Sequence, residues 1–265
     1  MSEMETFIRG CLLGAAQEIG KARRAGLSIR AKARNDMATS ADLAAENFIV
    51  GRIRREFPGS VVLSEESYLK ADLEHDSLFI IDPIDGTHNF IQGIPLWGIS
   101  VAHYSGGRPT AGGCHFVPQK EIFYAEKGKA ATRNGKRASV SKIEKLEDFF
   151  LLCDSRLHLA KEMGYMDPVL ALEKMSQHTR FLGSAVYNEC YVACGMADAQ
   201  FDFRLKPYDF AAGAFIVERA GGTVTDFEGK RWSLATEKVL CSNGRQHRRI
   251  IDMLHGKENA QPAQA

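Results

Sequence analysis

Apolar residues recur at helical spacing from residue 3 to residue 24, where Phe7, Ile8, Cys11, Leu12, Ala15 and Ile19 fall on one stripe. This predicts an opening amphipathic helix. The pattern repeats over residues 40–57 with Ala45, Ile49, Ile53 and Phe57, and Pro58-Gly59 stops it. The period then shortens. "SVVLS" (60–64), "LFIID" (78–82), "GISVAHY" (98–104) and "EIFYAE" (121–126) are short, rich in β-branched or aromatic residues, and separated by Gly and Pro turns, so they read as strands. Asn134-Gly135 within "TRNGKRASVS" is a hairpin signal. Beyond about residue 147, the strand candidates "DFFLLCD" (148–154), "RFLGS" (180–184), "DAQFDF" (198–203) and "KVLCS" (238–242) alternate with helical stretches near 157–177, 185–196, 210–220 and 245–255.

The pattern predicts an α+β N-terminal half with a largely antiparallel sheet, and an α/β C-terminal half. No internal repeat or low-complexity linker separates them, so residues 1–257 are expected to form one domain, with a polar flexible tail at 258–265.

Composition narrows the class. The chain has 265 residues, 45% hydrophobic and 25% charged, enough to bury a sizeable core. A formal net charge of +1 sets up no global field towards nucleic acid or anionic membrane, which argues against nucleic acid as a partner. No stretch approaches a membrane span, and the N-terminus lacks a signal-peptide pattern. The six cysteines are scattered, without CxxC or zinc-like spacing, and read as reduced core thiols. Cys190 and Cys194 share one face of a predicted helix. A cytoplasmic protein is expected.

The chemistry concentrates in "SEESYLKADLEHDSLFIIDPIDGTHNF" (64–90). Pro83 holds Asp82 extended and removes a ladder donor, so the strand is expected to end there. In a regular strand Asp82 and Asp85 would face opposite sides; they converge only if "PIDG" turns, which would also expose the Ile84 carbonyl. Taken alone, "PxDG" fits an Asx turn made by Asp85, with Asp82 capping the strand end. Glu65 and Glu66 change the balance, because a strand "VVLS" beside "LFIID" would bring the carboxylates to one rim. Crowded carboxylates repel one another unless cations neutralise them, and an all-oxygen set suits Mg²⁺. Gly86 and Thr87 add backbone N–H groups and a hydroxyl, a setting for phosphate oxygens.

"DPIDGTHNF" resembles the signature of the inositol monophosphatase family, and "PYDFAAGAFIVERAGG" (207–222) resembles its second signature. The similarity covers roughly residues 5–255. It implies a layered αβαβα sandwich and a Mg²⁺-dependent phosphomonoesterase using two or three ions. One ion would be held by Glu65, Asp82 and the Ile84 carbonyl, a second by Asp82, Asp85 and Asp209, and a weaker third near Glu65. Asp42 and Thr87 would orient the attacking water, with Glu65 counted among the catalytic groups. Asp85, Gly86, Thr87, Ser184, Ala185, Asp202 and Asp209 would line the substrate site. Simpler readings stand beside these: Asp209 as an N-cap, Thr39-x-x-Asp42 as a capping box, Ser184 as an N-cap and Asp202 as an exposed strand residue.

Departures from the family pattern bear on substrate. His88 follows Thr87 where a small residue or Lys is common, Tyr208 replaces a frequent Trp, Asp202 is shorter than the usual Glu, and Lys32 is a loose match to a metal-loop lysine. Arg204 and Lys206 bring positive charge to the leaving-group side. The resemblance implies a small phosphorylated polyol such as inositol monophosphate, with histidinol phosphate, fructose 1,6-bisphosphate and 3′-phosphoadenosine 5′-phosphate as alternatives. It also implies lithium sensitivity and a homodimer. From another class comes a non-catalytic regulatory binding role in the transcription machinery.

Overall fold

The structure is a computed structural model that describes residues 1–33, 36–66, 72–154 and 157–257, except for the side chains of residues 32, 33 and 36. The expected flexible tail at 258–265 and the proposed role of the Lys32 side chain lie outside the described residues. Helix α1 (Glu3–Ala25) begins where the Ser2 hydroxyl accepts the Glu5 N–H at 3.1 Å, and buries the stripe expected from its periodicity. A two-stranded antiparallel ribbon, β1 (Ile29–Ala33) and β2 (Asp36–Thr39), leads into α2 (Ser40–Glu56).

Next come β3 (Val61–Ser64), β4 (Leu78–Asp85), the short helix α3 (Thr87–Gln92), β5 (Gly98–Ser105), β6 (Arg108–Phe116), β7 (Glu121–Glu126), β8 (Thr132–Arg133) and β9 (Lys136–Arg137). The seven strands β3 to β9 form one sheet in sequence order. It is antiparallel except that β3 runs parallel to β4, with Ser64 opposite Ile81. That pairing delivers Glu65 to the β4 rim. Asn134 and Gly135, both at positive φ, make the turn that joins β8 to β9.

A second sheet combines β10 (Phe150–Leu152), β11 (His178–Arg180), β12 (Ala199–Phe203), β13 (Thr223–Asp226) and β14 (Lys238–Ser242) in the order β11-β10-β12-β14-β13, with parallel and antiparallel pairs. The helices here are α4 (Leu157–Glu162), α5 (Met166–Met175), α6 (Ala185–Ala193), α7 (Pro207–Arg219) and α8 (His247–Leu254).

Three apolar clusters define the layers. One lies between α1/α2 and the first sheet, and includes Phe7, Ile49, Phe79 and Ile81. Another fills the space between the two sheets, where α6 and α7 pack with Phe116, Tyr187, Phe210 and Val239. The third lies under α5 and α8 on the far face of the second sheet, with Leu172, Phe201 and Ile250. The result is the expected αβαβα sandwich with an antiparallel-dominated first sheet and a mixed second one. Each buried Phe, Ile or Leu contributes on the order of 1.5–3 kcal/mol relative to exposure.

The structure also corrects several expectations. The stretch expected as one helix near 157–177 is two, separated around Gly164, where φ is +77°. Residues 180–184 are not a strand: β11 ends at Arg180 and Gly183 takes a φ of +82°. Strand β6 escapes the pattern because helices press on both faces. A Cβ at Gly112 would lie 3.2 Å from the Ala212 carbonyl oxygen on α7, and one at Gly113 would lie 2.7 Å from Ile8 on α1. Close helix approach has replaced the side chains that would have advertised a strand.

Candidate active site

Strand β4 is buried along its whole length and continues past Asp82 to Asp85, contrary to the expected stop. Asp82 pairs with Ser100 and Asp85 with Gly98, so β4 carries one extra residue there. Such a bulge reverses the alternation of faces, and residues three apart turn to the same side. The missing Pro83 donor does no harm inside a bulge. Asp82, not Asp85, makes the local side-chain turn, its Oδ1 accepting the Ile84 N–H at 3.0 Å.

Gly86 follows at φ +86°, where a Cβ would meet the Leu96 carbonyl oxygen at 2.9 Å and the Gly183 carbonyl oxygen at 3.1 Å. Both the backbone conformation and the space demand glycine. The Thr87 hydroxyl then donates to the Ile84 carbonyl at 2.9 Å. That carbonyl is therefore engaged rather than simply exposed, although an sp² oxygen keeps a second lone pair.

The other groups arrive from separate elements. Asp42 is fully buried at the start of α2, and its Oδ2 accepts both the Thr39 N–H (2.7 Å) and the Thr39 hydroxyl (2.6 Å). The capping box is thus formed, and Oδ1 has no hydrogen-bond partner. Asp209 lies in the first turn of α7 and accepts the Lys206 N–H at 2.6 Å; it is the third helical residue rather than the N-cap. Ser184 is the N-cap of α6, accepting from the Tyr187 N–H at 3.3 Å, and its hydroxyl donates to Asp85 Oδ2. The Val186 N–H donates to the same oxygen at 3.0 Å.

A cavity of about 400 Å³ opens over this junction, lined by Glu65, Asp85, Gly86, Thr87, Ser184, Ala185, Asp202 and Asp209 among others. His88, Leu159 and Arg204 also border it.

Asp154 was missed from sequence. Its carboxylate accepts the backbone N–H groups of Gly183 (2.6 Å) and Ser184 (2.7 Å) and the Asn188 side-chain amide (2.7 Å), so it anchors the segment that holds Asp85. The signal was available: "FFLLCD" is an apolar strand run ending in Asp, as "LFIID" is. Asp202, expected on a substrate hydroxyl or as an exposed strand residue, is fully buried on β12, with Oδ1 accepting the Asp154 N–H at 2.7 Å. The exposed reading is overturned.

Electrostatically the site gathers several buried carboxylates. Burial pushes Asp82 well above the usual carboxylate range, and the charges of Glu65, Asp85, Asp209 and Asp42 add to it. Burial raises Asp85 to about 7 despite the Ser184 hydrogen bond, with Asp154 and Glu65 contributing. Burial likewise raises Asp42 to about 6, Asp209 well above its ordinary value, and Asp154 in the same direction. Among the described residues, no three such side chains already surround a common point as a finished metal cage. The donor chemistry nonetheless fits a hard divalent cation: carboxylate and carbonyl oxygens, with an unpartnered Asp42 oxygen nearby.

Residues 1–258 match the sequence profile of the inositol monophosphatase family. The chain belongs to that family. Among curated relatives of this inositol monophosphatase family member, the Thermotoga maritima fructose-1,6-bisphosphatase/inositol-1-monophosphatase is 36% identical over 220 residues, 83% of each chain. The Escherichia coli Nus factor SuhB is 35% identical over 216 residues, covering 81% of this chain and 80% of the relative. Among solved structures, the Thermotoga maritima IMPase superposes with a TM-score of 0.87 at 32% identity, covering 97% of this chain and 98% of that one. The Bartonella henselae extragenic suppressor protein SuhB reaches a TM-score of 0.89 at 29% identity, covering 96% and 98%. Membership makes this chain a phosphatase of a family that is generally Mg²⁺-dependent. No described helix is long and apolar enough to cross a membrane.

Proposed function

We propose that this family member is a cytoplasmic Mg²⁺-dependent phosphomonoesterase acting on inositol monophosphate or a similar polyol phosphate. The observation that carries the proposal is the bulge in β4, which turns Asp82 and Asp85 to one side of the strand, next to Gly86 and Thr87. Glu65, Asp82, Asp85, Asp209 and the Ile84 carbonyl would hold the ions. When bound, Mg²⁺ supplies the positive charge that acidifies a water and stabilises the leaving oxygen.

The chain's own residues set the geometry. Ser184 and the Val186 N–H fix Asp85, while Gly86 makes the positive-φ turn from β4 into α3, whose first backbone N–H groups would meet a phosphate oxygen. Asp42 and Thr87 would orient the attacking water. Each already has a local bond, to Thr39 and to the Ile84 carbonyl respectively, so the pairing calls for the Asp42 Oδ1 that has no partner. A panel of inositol 1-phosphate, fructose 1,6-bisphosphate, histidinol phosphate and 3′-phosphoadenosine 5′-phosphate, with and without Mg²⁺, tests the substrate. Inositol 1-phosphate turning over no faster than the other three would reject it. Lithium inhibition and a homodimer belong to the same proposal, checked by LiCl titration and sedimentation.

Relatives named Nus factor favour a second reading, in which the chain also binds a component of the transcription machinery. Near-neutral net charge makes a protein surface a better partner than nucleic acid.

The metal proposal also fixes a pH dependence. Asp42 and Asp85 titrate near 6 and 7 in the fold and near 3.9 when unfolded, so without metal the native state binds more protons. Their contribution to stability is therefore greatest at low pH and falls as pH rises from about 4 through about 7. Mg²⁺ competes with those protons. Its thermal stabilisation should grow from pH 5 to pH 8, reaching about 2.7 kcal/mol at a hundredfold excess over Kd. Equal melting-point shifts at both pH values would contradict the proposed ligand set.

A further inference from the structure

Arg204 follows β12 directly and holds a φ of +57°, in the left-handed region. Among the described residues the other non-glycine positions at positive φ, Lys120 and Asn134, sit in the turns between β6 and β7 and between β8 and β9, where that conformation is ordinary. Arg204 instead stands at the wall of the same cavity as Asp202 and Asp209. Strain kept at a cleft wall, where glycine would relieve it, points to a use for the side chain.

Charge supplies the second observation. The cavity is lined by five carboxylates, those of Glu65, Asp85, Asp154, Asp202 and Asp209, and Arg204 is the only lysine or arginine among its described lining residues. Its described ion-pair partner is Glu162 on α4, at 3.6 Å, with the two side chains 52% and 58% exposed. A pair that long and that exposed is held weakly, so the guanidinium is available for exchange. Leu159 and Leu205 line the same cavity.

We propose that Arg204 is a specificity-determining residue that recognises a second anionic group, such as a further phosphate, on the leaving-group side of the substrate. The inference rests on the phosphatase reading above and deepens it. The phosphate to be cleaved occupies the Gly86–Thr87 end. The remote anion displaces Glu162 and takes the planar, always-charged guanidinium as its counter-ion.

The test uses fructose 1-phosphate and fructose 1,6-bisphosphate, which differ only in the second phosphate, assayed with Mg²⁺. Arg204→Gly removes the guanidinium and relaxes the backbone, so folding is not at risk. It should lower the ratio of kcat/KM for the bisphosphate over the monophosphate by about tenfold, chiefly through KM. Arg204→Lys keeps the charge and should hold the ratio within about threefold of wild type. Glu162→Gln removes the competitor and should move the ratio upward, by about twofold. A purely structural Arg204–Glu162 pair predicts that both losses act in the same direction and equally on the two substrates, and that result would overturn the proposal. So would an unchanged ratio in Arg204→Gly. Wild-type protein that hydrolyses neither fructose compound but releases phosphate from inositol 1-phosphate would overturn this inference alone; wild type that hydrolyses none of the three would remove the phosphatase reading, and this inference with it.

Discussion

Asp85→Asn should reduce Mg²⁺-dependent phosphate release by about a thousandfold or more, with the protein still folded. Asp85 Oδ2 receives two donors, the Ser184 hydroxyl and the Val186 N–H, and an amide oxygen can accept both. The shape of the junction is therefore preserved. What disappears is the negative charge, and a buried carboxyl raised to about 7 costs stability in the metal-free protein. The variant should consequently melt no lower than wild type without metal, and gain less from Mg²⁺. Phosphate release above about a tenth of wild type would remove Asp85 from the metal site. Binding to a transcription partner, if the second reading holds, should survive the same substitution; its loss from a folded variant would tie the metal site to that contact.

Stability should rise in Glu189→Met. Glu189 lies on α6, fully buried, with neither carboxyl oxygen hydrogen-bonded, and a Cβ at Gly213 on α7 would collide with it. Burial holds this side chain well above the usual carboxylate range, with the thiol of Cys114 and the acids Asp85, Asp202 and Asp209 adding to the effect. Met matches its length, is an equally good helix former and has no strong polar group to leave unsatisfied.

At pH 5 the gain should be about 1–3 kcal/mol, the cost of an unsatisfied buried polar group. The sign of its pH dependence follows from the raised value. Wild type must keep Glu189 protonated while the unfolded chain ionises above about 4.3, so wild type loses about 1.4 kcal/mol per pH unit beyond that point until the folded group itself ionises. The advantage of Met therefore widens from pH 5 to pH 7, as urea unfolding at the two pH values would read directly. A destabilised Glu189→Met would show that the carboxyl has a use in the native state. A stable but inactive variant would place that use in catalysis.

Both expectations concern residues whose surroundings the linear pattern could not supply. Helices α1 and α2 were legible because a one-sided apolar stripe at period 3.6 needs only local information. Strands β4, β5, β7 and β14 were legible for the complementary reason, as dense β-branched and aromatic runs between turn residues. The polar strands β1, β2, β11 and β13 were not, since a ribbon or sheet-edge strand has little to bury.

In the site, "DPIDGT" was readable as chemistry, and the parallel pairing of β3 with β4 delivers Glu65 as the sequence suggested. How Asp82 and Asp85 share a side was not readable. A bulge is a relation between two strands, and Pro83 seen alone argued for a strand end. Asp154 and the burial of Asp202 were invisible for the same reason: the Asp154 carboxylate closes on Gly183 and Ser184, and its N–H on Asp202, across gaps of nearly thirty to nearly fifty residues.

The sequence by itself determined the family and much of the alternation of elements, because signatures and periodicity are local properties. Only the tertiary structure decided which carboxylates face one cavity, which are already engaged by backbone donors, and that Arg204 stands on their rim. Those outcomes depend on strand register and on contacts between distant segments, which no stretch of the chain encodes by its own pattern.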